Sequence, residues 1–275
     1  MKQLFTRSIT GLVYVALIVG SLLFAPAISF PLLAIVLALF AISEFHNLFT
    51  SPRKFCATDM TDIAGVIMLI TPLTFSPDRQ GVVMSLIFGL IWFVVRSALQ
   101  LRAKAPAVTV FLTSMAGATY IVTPLYIISL MAVFGMAKAV LALFIMLWLN
   151  DTGAYCVGSL MGRHRLCERL SPKKSWEGFW GGMFFTAVGA VLLMPWYMPG
   201  TPWIFGAGTG IIISIAATWG DLVESMLKRS QGVKDAGNIL PGHGGILDRI
   251  DSLLLAAPVF AVMQLIFTFI HYFGF

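Results

Sequence analysis

Charged residues are concentrated in the C-terminal half of the chain. Eight of the twelve acidic residues and nine of the eighteen basic residues lie between positions 150 and 252. The surrounding sequence is strongly apolar, so each charge is costly unless it is hydrated, paired or bound to a metal ion. We therefore expect the polar chemistry in this half, and mostly lipid-facing helix in the first half.

The most informative polar segment spans residues 220–252. If a helix continues past Asp221, then Asp221, Ser225 and Lys228 occupy positions i, i+4 and i+7 on one face. A proline and three glycines follow and favour a tight turn, after which Asp248 can face Asp221. Two carboxylates among lysine and arginine residues suit a hard cation such as Mg²⁺ that holds a triphosphate.

A second polar segment precedes it. Asn150 and Asp151 end an otherwise apolar stretch, and Ser171, Lys173 and Lys174 follow. With the glycines that come next, the lysines suit a phosphate-binding loop, because lysine acts as a point charge and glycine lets backbone N–H groups approach. Other interpretations stay open: Asp151 suits a helix end at the membrane interface, and the lysines suit membrane-surface anchors.

Several residues of the 220–252 segment also have ordinary structural explanations. One alternative interpretation of Lys228, Arg229 and Arg249 is that they anchor the chain to lipid headgroups. The alternative interpretation of His243 is a histidine in a turn, with its ring hydrogen-bonded to the backbone. We interpret Asp251 as a cap of the last helix, together with Ser252, in preference to a metal ligand.

Composition identifies the class of protein. The 275 residues are 59% hydrophobic and 11% charged, with a mean hydropathy of +0.91, whereas soluble domains are about 25% charged. Such a chain needs lipid as part of its solvent. The net charge of +6 would suggest nucleic acid in a soluble protein, but here we assign the basic residues to membrane orientation and predict no nucleic-acid partner.

Nine apolar runs approach the roughly 20 residues that span a bilayer. They predict an all-α, polytopic membrane helical bundle that forms one domain over 1–275, with N-terminal helices in 1–135 and a catalytic half in 136–275. Within the eighth run, Gly206, Gly208 and Gly210 predict close helix packing. The runs are 9–25, 28–45, 61–77, 81–97, 107–134, 137–152, 178–198, 202–220 and 252–273.

The distribution of basic residues predicts the orientation. With nine spans and a cytoplasmic N-terminus, 16 of the 18 basic residues fall on the inner side, and only Arg79 and Lys138 fall outside. The first 27 residues imitate a signal peptide that ends in Ala25-Pro26-Ala27. Because a second apolar run follows almost at once, we expect an uncleaved first helix.

The 27 residues from Ser225 to Asp251 resemble the signature of the phosphatidate cytidylyltransferases, also called CDP-diacylglycerol synthases. Segments 150–155 and 171–174 are similar to further motifs of that family, so the motifs cover about the last 125 residues. The matching signature residues are Ser225, Lys228, Arg229, Lys234, Asp235, His243, Gly244, Gly245, Asp248, Arg249 and Asp251.

The resemblance implies a reaction in which CTP and phosphatidic acid give CDP-diacylglycerol and pyrophosphate. It implies Mg²⁺ on Asp221 and Asp248, with a monovalent cation such as K⁺ beside it, and a homodimer. Ser225, Lys228 and Arg229 would join these aspartates in catalysis. A bacterial cytoplasmic membrane, with the active site on its cytoplasmic side, is the expected location. The residues expected to bind substrate are Asn150, Asp151, Ser171, Lys173, Lys174, Lys234, Asp235, His243, Gly244, Gly245 and Arg249.

Three other functions remain to be distinguished. A transporter would place its ionisable groups near the bilayer midplane, whereas these acids lie at the ends of predicted spans. A polyprenol or dolichol kinase would use the γ-phosphate of CTP and release CDP instead of pyrophosphate. A degenerate paralogue would tolerate loss of Asp248, although its polar signature is intact.

Overall fold

The computed structural model describes residues 2–50, 57–102, 107–237 and 244–273. These residues form ten α-helices, and each of the nine predicted apolar runs overlaps a helical segment, although the runs 9–25, 61–77, 178–198 and 202–220 extend one or two residues past a helix end. The helices are α1 Lys2–Leu23, α2 Pro26–Phe49, α3 Ala57–Phe75, α4 Arg79–Arg102, α5 Ala107–Gly117, α6 Thr123–Met131, α7 Ala137–Met161, α8 Trp176–Tyr197, α9 Trp203–Ser230 and α10 Leu247–Phe273.

Six helical stretches among the described residues are long and apolar enough to cross a membrane. Together they make the chain a polytopic α-helical membrane protein, as its composition predicts. Ile9–Leu23 is a shorter apolar helix. The six stretches are Pro26–Phe49, Arg79–Leu101, Val108–Met161, Trp176–Tyr197, Trp203–Ser230 and Leu247–Ile270.

The longest stretch, Val108–Met161, contains two of the predicted runs. A π-helical turn, Ala118–Val122, lies directly before α6, whose second residue is Pro124. A second turn, Ala132–Met136, leaves helical geometry at Phe134 and Gly135, where Gly135 has a φ of +84°. Glycine tolerates this left-handed conformation because it lacks a Cβ, and regular helical geometry is interrupted here.

The chain divides into two compact units. The first comprises Met1–Ala137 and Asp235–Arg249, and the second comprises Lys138–Lys234 and Ile250–Phe275. The segment that precedes α10 therefore belongs with the N-terminal helices, which the sequence does not predict.

The first unit contains buried charge that its apolar sequence conceals. Arg96 is fully buried, and its Nε lies 3.1 Å from Oδ1 of Asp62, which is itself buried. The Arg96 guanidinium also donates to Ser114 Oγ and to Gln100 Oε1. Arg96 thus forms a buried, structural ion pair. The predicted orientation counts it among the basic residues on the inner side of the membrane.

In the second unit, α7, α8 and α9 pack through glycines. A Cβ at Gly181 would lie 2.5 Å from Val157, and a Cβ at Gly210 would lie 2.5 Å from the Cα of Ala187. Gly206 likewise faces the α8 backbone, which confirms close packing there, whereas Gly208 faces open space. Small residues let membrane helices approach this closely, so the role of Gly181 is in packing.

A short antiparallel hairpin joins α7 to α8. Strand β1 (Arg165–Cys167) pairs with strand β2 (Ser171–Ser175). The sequence predicts helices only, because strands of three and five residues give too short a pattern of alternating polar and apolar residues to be recognised. The hairpin carries Lys173 and Lys174.

Candidate functional site

A cavity of about 440 Å³ opens in the second unit, within the 300–1,000 Å³ typical of ligand sites. It lies among α7, β2, α8 and α9. Six residues predicted from the sequence line it, so the structure brings together both polar segments at this point. They are Asn150, Asp151, Ser171, Lys173, Lys174 and Asp221.

Asn150 and Asp151 lie inside α7, which continues to Met161. The alternative interpretation of Asp151 as a helix-end residue is therefore wrong, because the residues after it keep helical geometry. Asn150 is buried, and its Oδ1 accepts a hydrogen bond of 2.6 Å from Ser214 Oγ. This bond ties α7 to α9, while Asp151 is exposed and lines the cavity.

An ion pair lies at the centre of the site. Lys174 Nζ lies 2.5 Å from Asp221 Oδ2, and both side chains are about 29% exposed. Ser225 Oγ donates to Asp221 Oδ1 over 3.3 Å. The helical spacing of Asp221 and Ser225 is confirmed, since α9 extends past Asp221 to Ser230.

Asp251 belongs to the same cluster of charges. It lies within electrostatic range of Asp221, Asp151 and Lys174. A Cβ at Gly220 would lie 2.7 Å from the Asp251 carbonyl oxygen, so α9 and α10 approach closely enough to make the two aspartates neighbours. The interpretation of Asp251 as a helix cap is wrong, because α10 begins four residues earlier, at Leu247.

Polar contacts at its base hold the hairpin that carries the lysines. Glu177, in the first turn of α8, accepts hydrogen bonds from the backbone N–H groups of Arg163 and His164 and contacts His164 Nδ1 at 2.6 Å. Ser175 caps α8 by accepting from the Gly178 N–H over 3.1 Å. These contacts restrain both ends of the hairpin and so limit the positions of Lys173 and Lys174.

The C-terminal end of α9 carries the next predicted residues. Lys228 pairs with the buried Glu224 one helical turn before it, a partner that the sequence analysis does not name. Arg229 is exposed and donates to the carbonyl oxygens of Leu170 and Val233, so it links α9 to the turn of the hairpin. Lys234 is exposed.

In the first unit, Asp248 organises the segment before α10. Its carboxylate accepts hydrogen bonds from the N–H groups of Ala236 (3.1 Å) and Gly245 (2.8 Å). Gly244 adopts a φ of +80°, and a Cβ there would lie 2.8 Å from Asp248 Oδ2. Only glycine therefore fits this turn without strain. Asp235 is exposed at the start of the segment.

Glu44 of α2 is a residue that the sequence analysis missed. Its carboxylate is buried and accepts from the backbone N–H groups of Ile246 (3.1 Å) and Leu247 (2.8 Å). These N–H groups begin α10 and have no partner within that helix. A Cβ at Gly237 or Gly245 would overlap the Glu44 carboxylate. No local motif reveals such a contact, since 202 residues separate Glu44 from Ile246.

Arg249 and His243 are the remaining predicted residues. Arg249 is exposed, and its carbonyl oxygen accepts a hydrogen bond from Tyr14. His243 lies outside the described residues. Asp221 and Asp248 belong to different units, so their joint binding of Mg²⁺ stays a prediction. Among the described residues, no three His, Cys, Asp or Glu side chains form a group that could hold a metal ion.

Membrane-spanning helices and a cavity of paired lysine and aspartate residues define a polytopic membrane protein with a polar site. The model of the cytidylyltransferase family matches residues 5–267. The chain belongs to the cytidylyltransferase family.

Curated relatives carry a more specific name. A phosphatidate cytidylyltransferase of Mycobacterium leprae (strain TN) is 44% identical over 123 residues, which are 45% of this chain and 39% of the relative. One of Staphylococcus aureus (strain COL) is 45% identical over 126 residues, which are 45% of this chain and 48% of the relative. The matches thus cover less than half the length of these relatives.

Proposed function

We propose that this protein is a phosphatidate cytidylyltransferase. A phosphate oxygen of phosphatidic acid attacks the α-phosphorus of CTP, and a new P–O–P bond forms. The bond between the α-phosphorus and the oxygen that leads to the β-phosphate breaks. CDP-diacylglycerol and pyrophosphate are the products, and the pyrophosphate keeps the electron pair of the broken bond.

The observation that carries this proposal is the Lys174–Asp221 pair in the cavity of the second unit. Lys174 supplies positive charge for phosphates, while Asp221, with Asp151 and Asp251 nearby, supplies oxygen ligands for a hard cation. A nucleoside triphosphate needs both. The relatives named phosphatidate cytidylyltransferase support the same substrates.

The acidic residues fit a magnesium site. Mg²⁺ usually needs only one or two protein carboxylates, because substrate phosphates and water complete its shell. The neighbouring carboxylates Asp221 and Asp251 repel each other, and a divalent cation would relieve that repulsion. We propose Asp221 and Asp248 as ligands, with K⁺ beside the magnesium; the bound metal would neutralise phosphate charge.

The remaining groups position the reactants and stabilise charge. The nucleophile is already an anion, so no strong general base is needed, and the difficulty is to bring two anions together. Lys173 and Lys174 would contact the triphosphate from β2. Arg229, Lys228 and Arg249 would neutralise the leaving pyrophosphate and the phosphatidate headgroup. Ser225 would keep Asp221 oriented through its hydrogen bond.

The proposal extends to the membrane arrangement. Nine spans with a cytoplasmic N-terminus would place the site on the cytoplasmic face of a bacterial inner membrane, where CTP is available. Labelling of single cysteines introduced near residues 79 and 173 would test this arrangement, since the two positions should lie on opposite sides. A homodimer, as the family resemblance implies, should appear at twice the 30.0 kDa mass.

Pyrophosphate release by the purified protein in detergent tests the reaction. The protein is given CTP, Mg²⁺ and phosphatidic acid, and the Asp221→Asn and Asp248→Asn variants are run in parallel. We expect release that requires both substrates and is lost in both variants.

Product analysis separates the alternatives. CDP in place of pyrophosphate would indicate a kinase. Absence of turnover by folded protein with lipid supplied would contradict the cytidylyltransferase proposal. Unchanged turnover in Asp248→Asn would contradict the role of this carboxylate and leave the reaction itself standing.

A further inference from the structure

A second cavity, of about 170 Å³, lies entirely in the first unit. Helices α2, α3 and α4 and the stretch that begins with α5 form its walls. Much of the lining is apolar, with Ile42, Leu69 and Val122 among its residues, and the exposed side chains of Thr119 and Thr123 lie at its rim. Neither the proposed reaction nor the family resemblance assigns this cavity a role.

Trp92 lines this cavity and carries an unsatisfied donor. Its indole Nε1 is buried and has no hydrogen-bond partner among the described residues. The ring lies directly against α3, because a Cβ at Gly65 would overlap it. An indole N–H can only donate, and buried donors rarely go without an acceptor. An acceptor from outside the described protein therefore suits this position.

His46 adds a second polar group to the same lining. Its side chain is 8% exposed, and its Nδ1 lies 3.5 Å from Asp59 Oδ1. Its Nε2 lies 3.5 Å from Asp62 Oδ2 and has no hydrogen-bond partner among the described residues. The cavity thus combines an apolar wall with two polar atoms that lack a hydrogen bond.

The charges around the cavity favour a neutral ligand. Asp62 is the acidic residue of its described lining, and its charge is held by Arg96 and by a 2.5 Å hydrogen bond from Ser114. Arg96 is fully buried and engaged by these groups and by Gln100. A phosphate would meet the Asp62 carboxylate without a lysine or arginine in the described lining to bind it.

We propose that this cavity binds the acyl-ester portion of a membrane glycerophospholipid, with an ester carbonyl oxygen accepting from Trp92 Nε1. Three of the walls belong to candidate membrane spans, Pro26–Phe49, Arg79–Leu101 and Val108–Met161. Lipid therefore surrounds the opening of the cavity. Ester carbonyls are neutral acceptors joined to apolar chains. The headgroup stays outside, so the occupant is bulk phospholipid, and the site is independent of the proposed reaction.

Competition between ester and ether lipids tests this proposal. The full chain in detergent is mixed with equal amounts of dioleoylphosphatidylcholine and its diether analogue, which lacks the carbonyl groups, and the bound lipid is weighed by native mass spectrometry. We expect roughly a 2- to 10-fold preference for the ester, the effect of one hydrogen bond. Trp92→Phe should abolish the preference, while Trp203→Phe, at an exposed tryptophan of the second unit, should retain it.

Two further comparisons complete the test. Repeating the competition with ester and ether forms of phosphatidic acid should give the same preference, and a preference seen only with phosphatidic acid would overturn the proposal in favour of the substrate. Equal binding of ester and ether lipids by the unmodified protein would overturn it as well. If Trp92→Phe does not fold, Leu69→Trp, which fills the cavity and keeps the indole N–H, must abolish the preference.

Discussion

The ammonium of Lys174 lies 2.5 Å from the carboxylate of Asp221, across the gap between β2 and α9. The two residues are 47 positions apart in the sequence, and the short hairpin brings them together. Because each side chain is about 29% exposed, the pair adds little to stability. Its value lies in holding a cation and an anion where a metal-bound nucleotide requires both.

Replacing Lys174 with methionine should lower the kcat/KM of pyrophosphate release by roughly 10²- to 10³-fold, as removal of one fixed charge-stabilising group does in other enzymes. The substitution keeps most of the side-chain length and removes the charge. Lys138→Met is the matched control, since Lys138 lies over the Trp196 ring and does not line the cavity. An equal loss in both variants would contradict a specific role for Lys174.

Replacing Asp251 with asparagine should raise the Mg²⁺ concentration needed for half-maximal turnover by roughly 10-fold or more, the usual effect of altering groups beside a metal ligand. Asp251 acts electrostatically on Asp221, so its loss removes negative charge that would attract the cation. A Mg²⁺ titration of turnover measures the change. Glu168→Gln, in the exposed turn of the hairpin, should behave as the unmodified protein.

The sequence predicts the helices and much of the cavity because both depend on local patterns. Apolar runs of bilayer length identify helices, and Asp221 with Ser225 follows from helical spacing. The cavity residues Asn150, Asp151 and Lys174 belong to polar segments that stand out against an apolar background.

Long-range contacts are what the sequence conceals. Glu44 and Arg96 are each the only charged residue of a predicted apolar run. No neighbouring residue in the sequence identifies their partners, which are Ile246 for Glu44 and Asp62 for Arg96. Asn150 lies inside α7 and is hydrogen-bonded to Ser214 of another helix, so its polarity does not mark a helix end. A polar residue inside a membrane helix therefore marks a tertiary contact as readily as a helix end.

Two glycines of α9 should respond differently to alanine. A Cβ at Gly210 would lie 2.5 Å from the Ala187 backbone, whereas a Cβ at Gly208 faces open space. We expect Gly210→Ala to destabilise the protein by about 1–3 kcal/mol through overpacking, and Gly208→Ala to be neutral or to stabilise it by about 0.5–1 kcal/mol. Thermal unfolding in detergent measures both, and equal effects would rule out the α8–α9 contact.

Glu44→Gln should destabilise the protein by about 1–3 kcal/mol, because the two buried N–H groups bond different carboxylate oxygens and the glutamine amide replaces one of those oxygens with an NH₂ donor. Thermal unfolding in detergent measures the loss. Turnover should fall as well, since Asp248 follows these N–H groups directly in α10. Gln231→Glu, in an exposed position after α9, replaces an amide with a carboxylate and is the control. It should change neither the stability nor the turnover.

A double-mutant cycle tests the contact between Glu44 and Gly245 itself. Gly245→Ala should be strongly destabilising alone, because the new Cβ overlaps the Glu44 carboxylate. In a Glu44→Ala background that overlap is absent, so the same substitution should cost less, with a coupling energy of about 0.5–3 kcal/mol. Additive effects would mean that the cost of Gly245→Ala does not come from contact with the Glu44 carboxylate. A coupling within this range would show that α2 holds the segment from which Asp248 projects.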